Sequence, residues 1–263
     1  MSRLRRGAGP AAFLLLALAG AAFFTLPLVA LAARAPWPTA LTDLTAPSVV
    51  AALRLSIVCS VAATALSVVL GIPLAWVYAR LAFPGKAVVR ALTTLPMVLP
   101  PVVGGIALLV AFGRRGLFGD ALDALGVRLP FTTAAVIVAE TFVAMPFFVI
   151  TVEAALRSMD RRFEDAARTL GADPAHVLRT VTLPLIAPSI VAGMVLSWAR
   201  ALGEFGATIT FAGNFPGTTQ TMPLAAYLAL ETNADTAVLL GLTLLAVSMV
   251  VLISLRDRFL SLT

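Results

Sequence analysis

Residues 132–156 read TTAAVIVAETFVAMPFFVITVEAAL, and only Glu140 and Glu153 in this run carry a charge. A helix needs about 20 predominantly apolar residues to cross the hydrocarbon core of a bilayer, so this run is long enough to span a membrane. The stretch therefore predicts a helical membrane protein. The other apolar runs then decide how often the chain crosses the bilayer.

The composition of the whole chain supports this fold class. Of the 263 residues, 60% are apolar and only 12% are charged, whereas a soluble domain carries about 25% charged residues. The single cysteine, Cys59, excludes an internal disulfide or a thiolate metal cluster, and the single histidine, His176, leaves little for catalysis. The net charge of +6 lies at the ends of apolar runs, which indicates membrane topology and not nucleic-acid binding. We expect no catalytic residue and no metal site.

Six apolar runs have spanning length, at residues 11–33, 48–79, 88–112, 132–156, 185–212 and 236–255. Prolines inside these runs are expected to kink the helices, because neighbouring helices can satisfy the freed carbonyl groups. We divide the chain into three parts. Residues 1–46 hold the N-terminal tail, the first span and an outer loop; 47–256 form the transmembrane domain with a cytoplasmic loop at 153–184; 257–263 are a cytoplasmic tail.

Basic residues distribute unequally between the two sides of these spans. Thirteen Lys and Arg residues fall on the side of the termini and four on the other side. Because cytoplasmic loops carry the excess of Lys and Arg, both termini are predicted to be cytoplasmic. A cleaved secretory signal ending near residues 30–32 is the alternative. We favour a retained first span, because its apolar run is longer than the core of a signal peptide.

The longest polar stretch lies between the fourth and fifth runs, within residues 153–184. We predict two short helices, the first with Asp160 as N-cap and Gly171 as its left-handed C-terminal residue. Asp173 and Pro174 are predicted to begin a second helix that stops before Pro184. The first helix is marked by an apolar stripe at helical spacing, formed by Leu156, Met159, Phe163, Ala166 and Leu170. An amphipathic loop lying on lipid headgroups is the alternative.

A pattern of small residues and turns runs through this stretch. Asp165-Ala166-Ala167 is followed after three residues by Gly171, and after nine more by residues 181–184, Val-Thr-Leu-Pro. The pattern resembles the Glu-Ala-Ala loop of bacterial ABC importer permeases, with Asp165 for glutamate and Val181 for isoleucine. Glu164 is the alternative for the acidic role. The resemblance implies a coupling helix that docks on a separate ATPase subunit, through Glu164, Asp165, Ala166, Ala167, Gly171, Leu183 and Pro184.

Three further stretches narrow the resemblance. Residues 200–208 (RALGEFGAT) are typical of permeases for tetrahedral oxyanions, and residues 99–105 (LPPVVGG) and 211–224 (FAGNFPGTTQTMPL) are similar to the molybdate branch. The resemblance implies a six-span, MetI-like importer permease bundle, in a bacterial or archaeal plasma or inner membrane. It further implies a second copy of the chain, two ABC ATPase subunits that bind the ATP, and an extracytoplasmic molybdate-binding protein. The chain itself would hold no cofactor and catalyse no reaction. Sulfate, thiosulfate or tungstate is the alternative substrate.

Charged groups also occur inside the predicted spans. Arg200 and Glu204 lie four residues apart and can pair on one helix face. They form either a neutralised structural pair or part of an anion pathway in which Arg200 attracts the dianion. Glu140 is predicted to pack between helices, since it would repel an anion. The predicted pathway residues are Pro100, Pro101, Gly104, Gly105, Ser197, Arg200, Gly203, Glu204, Gly206 and Thr208.

Two other classes of protein compete with a permease. An intramembrane enzyme needs a convergent nucleophile, base or metal set, and no such set is visible. An autonomous channel does not need the glycine-punctuated docking loop. Co-purification with an ATPase would separate the importer permease from both.

Overall fold

The computed structural model describes residues 9–260, and every regular element in this part of the chain is helical, as predicted. A 3-10 turn at Leu95–Met97 and a π-turn at Leu178–Thr182 interrupt the α-helices. Arg3, Arg5 and Arg6, and the end of the predicted C-terminal tail, lie outside the described residues. The helices are α1 (Gly9–Ala33), α2 (Ala40–Leu44), α3 (Pro47–Arg80), α4 (Lys86–Thr94), α5 (Pro101–Phe112), α6 (Gly119–Ala124), α7 (Thr133–Ser158), α8 (Arg162–Thr169), α9 (Pro174–Val177), α10 (Leu183–Leu202), α11 (Gly206–Phe211), α12 (Met222–Thr232) and α13 (Ala234–Leu260).

Five helical segments of the described chain are long and apolar enough to cross a bilayer, and the count becomes six when one bent pair of helices is taken as a single broken span. The five segments agree with five of the predicted apolar runs. They are Ala12–Ala33, Pro47–Arg80, Thr133–Ser158, Pro174–Leu202 and Ala234–Val251.

The third predicted run, residues 88–112, is not one straight span. It consists of Lys86–Met97 and Pro101–Phe112, which meet at an angle of 119°. Two consecutive prolines, Pro100 and Pro101, explain the bend. Neither can donate a helical hydrogen bond, and each disfavours the helical conformation in the residue before it.

The apolar run at residues 185–212 is also interrupted. Helix α10 ends at Leu202, residues 203–205 are not helical, and the short α11 follows. Glycine at position 203 weakens the helix. The Glu204 carboxylate then accepts the Ala207 N–H at 2.9 Å and so starts α11.

The second short helix of the polar stretch between α7 and α10 also differs from the prediction. It does not stop before Pro184, because the π-turn at Leu178–Thr182 joins α9 to α10, and Pro174–Leu202 runs on as one apolar segment. Pro184 lies in the first turn of α10, directly after the π-turn. The segment leading out of the polar stretch is therefore continuous with a membrane span.

The core of the bundle lies where α3, α7 and α10 meet. The Phe148 ring of α7 is fully buried. A Cβ atom added at Gly71 of α3 would lie 2.6 Å from this ring, and one added at Gly193 of α10 would lie 3.0 Å from it. The two glycines therefore let both neighbouring helices approach α7 across a single aromatic side chain. In contrast, no residue in the most apolar window of α1 is buried against the rest of the chain.

Candidate functional site

Local capping interactions shape the polar stretch between α7 and α10. Gly171 has φ +89°, which is the left-handed conformation predicted for the end of α8. Asp173 is the N-cap of α9, as predicted, and its carboxylate accepts the backbone N–H groups of Ala175 and His176. Hydrogen bonds from His176 and then Ala175 lower the pKa of the Asp173 carboxyl below its usual value. Asp160 is not the N-cap of α8, which is Arg161, but it accepts the Arg162 N–H at 3.0 Å.

The two acidic residues of α8 differ in burial. Glu164 is buried, and its Oε1 accepts hydrogen bonds from Arg80 Nη2 at 3.0 Å and from the Thr182 hydroxyl at 2.7 Å. Asp165 is exposed and meets only its neighbour Arg168, at 3.4 Å. Glu164 therefore holds α8 against the bundle, and Asp165 faces outward, where a partner can reach it.

The apolar stripe predicted for this stretch is divided between two helices. Leu156 is buried in α7, which ends at Ser158, whereas Phe163 and Leu170 are 56% and 89% exposed. The stripe does not form one face because the chain is extended at Met159 and starts a new helix at Arg162. Consequently α8 presents two large apolar side chains outward. Of the other predicted coupling residues, Ala166 and Pro184 are exposed and Ala167 and Leu183 are half-buried.

A second buried carboxylate ties the neighbouring helices together. Glu153 of α7 is buried and pairs with Arg90 of α4 at 3.0 Å and with Arg157 at 2.7 Å. Arg157 also donates to the carbonyl of Tyr78, at 3.2 Å. The C-terminal ends of α3 and α7 and helix α4 are thus joined by polar contacts. These ion pairs were not predicted from the sequence, where Arg80, Arg90 and Arg157 were used only to count the basic residues on each side of the membrane.

The charged pair predicted inside the membrane is present. Arg200 Nη2 lies 2.7 Å from Glu204 Oε2, and Glu204 is buried while the Arg200 side chain is 28% exposed. Glu204 belongs to the non-helical break and not to the helix of Arg200. Because its other oxygen accepts the Ala207 N–H, this carboxylate joins the end of α10 to the start of α11.

The predicted pathway glycines mostly serve close helix packing. A Cβ atom added at Gly105 would lie 2.8 Å from the Ala207 carbonyl oxygen, and one added at Gly206 would lie 2.7 Å from Pro101 Cβ. At Gly104 it would meet only the Phe142 ring, at 3.2 Å. Helices α5 and α11 therefore cross with their backbones almost in contact. Gly203, in contrast, is exposed at the end of α10.

Three buried polar groups near this crossing make no hydrogen bond within the described residues: Glu140 Oε2, the Ser197 hydroxyl and the Thr208 hydroxyl. Ser197 and Thr208 were predicted as ligands for an oxyanion, and their hydroxyls do not bond their own backbone. Glu140 packs inside the bundle, as predicted. Among the described residues, no three His, Cys, Asp or Glu side chains are grouped to hold a metal ion.

The predicted residues thus fall into two groups. The predicted coupling residues lie at or before the N-terminal end of α10, and the Arg200–Glu204 pair lies at its C-terminal end. Helix α10 has 20 residues, which corresponds to about 30 Å at 1.5 Å per residue. A rigid rod of that length can transmit a displacement from one group to the other.

The chain has clear relatives. Residues 67–261 match the family described as the inner membrane component of binding-protein-dependent transport systems. The molybdenum transport system permease protein ModB of Mycobacterium tuberculosis H37Rv is 51% identical over 191 residues, which cover 72% of either chain. The sulfate transport system permease protein CysT of Salmonella typhimurium LT2 is 36% identical over 193 residues, which cover 72% of this chain and 70% of the relative.

Solved structures match over nearly the whole length. A bacterial alginate ABC transporter in complex with an alginate pentasaccharide-bound periplasmic protein has a TM-score of 0.76 and 18% identity. The match covers 98% of this chain and 99% of that one. At this identity the likeness concerns the fold alone.

Proposed function

Because the chain belongs to the family of binding-protein-dependent transport system inner membrane components, we propose that it is the permease subunit of an ATP-driven molybdate importer. Family membership confirms the predicted importer-permease fold, the multi-pass membrane location and the assignment as a transporter that is not an enzyme. The observation that carries the transport mechanism is the continuous segment Pro174–Leu202. This segment follows the exposed helix α8 in the chain and reaches the Arg200–Glu204 pair at its far end.

The proposed assembly has two copies of this chain, two ABC ATPase subunits and an extracytoplasmic molybdate-binding protein. ATP binds to the ATPase subunits, and this chain holds no cofactor and binds no nucleic acid. Exposed Phe163 and Leu170 on α8 support the ATPase contact, since large exposed apolar side chains on a short cytoplasmic helix need a partner. The apolar faces of α1 and α13, which the chain itself leaves mostly uncovered, are available to lipid and to the second copy.

The proposed pathway runs past the polar break at residues 203–205. Arg200 is the only basic side chain in the described part of α10 and α11, and its partial exposure lets it attract a dianion. Glu204 neutralises the guanidinium when no anion is present, so that the site binds weakly enough to release its cargo. Closure of the ATPase dimer would displace α8 and α10. This displacement would change the side of the membrane from which an anion can reach residues 203–205.

Uptake experiments test the proposal. Cells that lack the chain should lose molybdoenzyme activity at low external molybdate and regain it at high molybdate. Vesicles containing the complete complex should accumulate molybdate only with ATP. Loss of sulfate-dependent growth with normal molybdoenzyme activity would instead assign the chain to sulfate. The similarity to CysT keeps that candidate open, and its lower identity, 36% against 51%, makes molybdate the better one.

The orientation belongs to the same proposal. The charge count places both termini in the cytoplasm, so that α8 lies on the ATPase side. A reporter fused after Thr263 should be cytoplasmic, and one inserted near Pro216 should be extracytoplasmic. A cytoplasmic signal at Pro216 would contradict the proposed topology.

A further inference from the structure

One carboxylate oxygen connects three separate segments at the cytoplasmic end of the bundle. Glu164 Oε1 of α8 accepts a hydrogen bond from Arg80, the last residue of α3, at 3.0 Å. It also accepts one from the hydroxyl of Thr182, the last residue of the π-turn before α10, at 2.7 Å. We call Arg80, Glu164 and Thr182 the Glu164 cluster.

The Glu164 cluster is buried, unlike the other ion pair of α8. The side chains of Arg80 and Glu164 are 8% and 6% exposed, whereas those of Arg168 and Asp165 are 54% and 66% exposed. An exposed pair contributes little, because water and salt screen it. A buried pair is different, since removing one partner leaves an uncompensated charge away from water. The cluster therefore constrains the position of α8, and the Asp165–Arg168 pair does not.

Helix α8 has little other attachment to α3. Within the described residues, Arg80–Glu164 is the one hydrogen bond or ion pair that joins the two helices, and 84 positions separate these residues in the sequence. A cavity of about 480 Å³ lies beside the contact, lined by Pro73, Trp76 and Leu178 among others. The gap leaves α8 free to shift against α3, except where Glu164 holds it.

The chain path from α8 to α10 is less rigid than a continuous helix. It passes through the left-handed Gly171, the short α9 and the π-turn at Leu178–Thr182. The Thr182 hydroxyl bypasses this path by bonding α8 directly to the start of α10. One oxygen thus links α8 to two membrane spans at once.

We propose that Glu164 is a positioning residue that transmits the displacement of α8 to α3 through Arg80 and to α10 through Thr182. The proposal rests on the proposed function, and it assigns Glu164 to the inside of the permease and not to the ATPase contact. The ATPase then docks on the exposed face of α8. Glu164 converts the movement of α8 into movement of the membrane spans. Without Glu164, docking and ATP hydrolysis persist but uptake does not follow.

The experiment compares the complete complex containing wild type, Glu164→Gln, Arg80→Gln and the exchange variant Arg80→Glu/Glu164→Arg. Asp123→Asn is the matched control, because Asp123 pairs with Arg128 in an exposed outer contact at 3.4 Å. Three quantities are measured for each: ATPase subunits retained on purification, ATP hydrolysis with molybdate-loaded binding protein, and molybdate uptake per ATP hydrolysed.

Both single variants should retain the ATPase and hydrolyse ATP, with uptake per ATP lowered roughly 5–150-fold, the range of coupling between linked sites. The exchange variant should recover part of that loss, because it restores the ion pair with reversed polarity. Thr182→Val, which leaves the ion pair intact, should show a smaller loss. Arg80→Lys should lose less than Arg80→Gln, since it keeps a charged donor for the single contact with Glu164 Oε1.

Wild-type uptake per ATP in both Glu164→Gln and Arg80→Gln would overturn the proposal. The proposal would also be overturned if these variants lost the ATPase on purification but the remaining complex had normal uptake per ATP. That result would place Glu164 at the ATPase contact. If a variant inserts poorly, uptake per ATP in the complex that is recovered still decides the question. Failure of the proposed function is distinct, since wild type itself would then retain no ATPase or take up no molybdate.

Discussion

Replacing Gly105 with alanine places a methyl group where α5 and α11 meet backbone to backbone. The new Cβ would lie 2.8 Å from the Ala207 carbonyl oxygen and 2.7 Å from Thr210 Cβ, whereas ordinary contacts lie at 3.4–4 Å. The two helices must therefore separate by about half an ångström or more before the contact becomes attractive. The obstacle on the α11 side is mainly backbone, which cannot rotate away as a side chain can.

The expected cost follows from this geometry. Overfilling a packed site destabilises a protein by about 1–3 kcal/mol, and each kcal/mol lowers the Tm of a chain of this size by roughly 2–4 °C. Gly105→Ala should lower the Tm of the purified complex accordingly and should reduce uptake, because the crossing lies beside the Arg200–Glu204 pair. Gly104→Ala should cost less, since its new methyl group meets only the Phe142 ring, at 3.2 Å.

Thermal unfolding in detergent and molybdate uptake in vesicles provide the two readouts. Gly20→Ala in α1 is the control, because an added Cβ there has no neighbour within 4 Å. The expected order of Tm loss is Gly105→Ala, then Gly104→Ala, then Gly20→Ala with almost none. If Gly105→Ala and Gly20→Ala have the same Tm and the same uptake, α5 and α11 are not in close contact and the reasoning fails.

Three further predictions concern single residues. Gly171→Val should weaken ATPase retention, because the left-handed backbone at this position strains a β-branched residue by about 1–2 kcal/mol. Gly171→Asn should retain the ATPase, because asparagine tolerates that conformation. Equal retention in both variants would show that the turn is unimportant. Arg200→Gln should lower uptake, and exchanging Arg200 with Glu204 should not restore it, because an arginine at 204 cannot accept the Ala207 N–H; full uptake by the exchange variant would reduce the pair to simple neutralisation. The pKa of Asp173 is depressed in the folded protein, so the stability that its carboxylate gives to the cap of α9 is present above the ordinary Asp pKa of 3.8 and is lost as the pH falls through the folded-state pKa. Amide-exchange protection at Ala175 and His176 should fall over that pH range. In Asp173→Ala it should already be low at neutral pH.

Local signals in the sequence predicted much of this structure. The apolar runs place five spans close to their observed positions, because length and hydrophobicity alone decide whether a helix can cross a bilayer. Gly171 and Asp173 were predicted correctly for a similar reason, since left-handed ends and N-caps depend on one or two neighbouring residues. The bend after Leu95–Met97 was marked by Pro100 and Pro101, but an apolar run does not reveal how far a helix turns.

Contacts between distant residues could not be predicted in this way. The sequence offered both Glu164 and Asp165 for the acidic role in the docking loop, and nothing near them decides which is buried. That choice depends on Arg80, which lies in another helix. The break at residues 203–205 is a similar case, because the run remains apolar across it and only the hydrogen bond from Ala207 to Glu204 shows where the helix restarts.

The different attachments of α10 and α11 explain why an ion pair lies at the break between them. Helix α10 is tied to α8 at its N-terminal end, through the bond from the Thr182 hydroxyl to Glu164. Helix α11 is locked to α5 by the glycine contacts, so it does not follow α10 freely. We therefore expect relative movement of the two helices to concentrate in residues 203–205, where only the Gly203 N–H to Ala199 carbonyl bond at 3.4 Å and the Glu204 N–H to Ala201 carbonyl bond at 3.0 Å continue from α10. Arg200 belongs to α10, whereas Glu204 lies within the joint and is bonded to α11 through the Ala207 N–H, so a shift of α10 relative to α11 must stretch or break the 2.7 Å contact of the pair. If the proposed pathway is right, an anion that takes over the guanidinium should lower the cost of that shift, so we expect the presence of cargo and the movement of α8 to favour the same change.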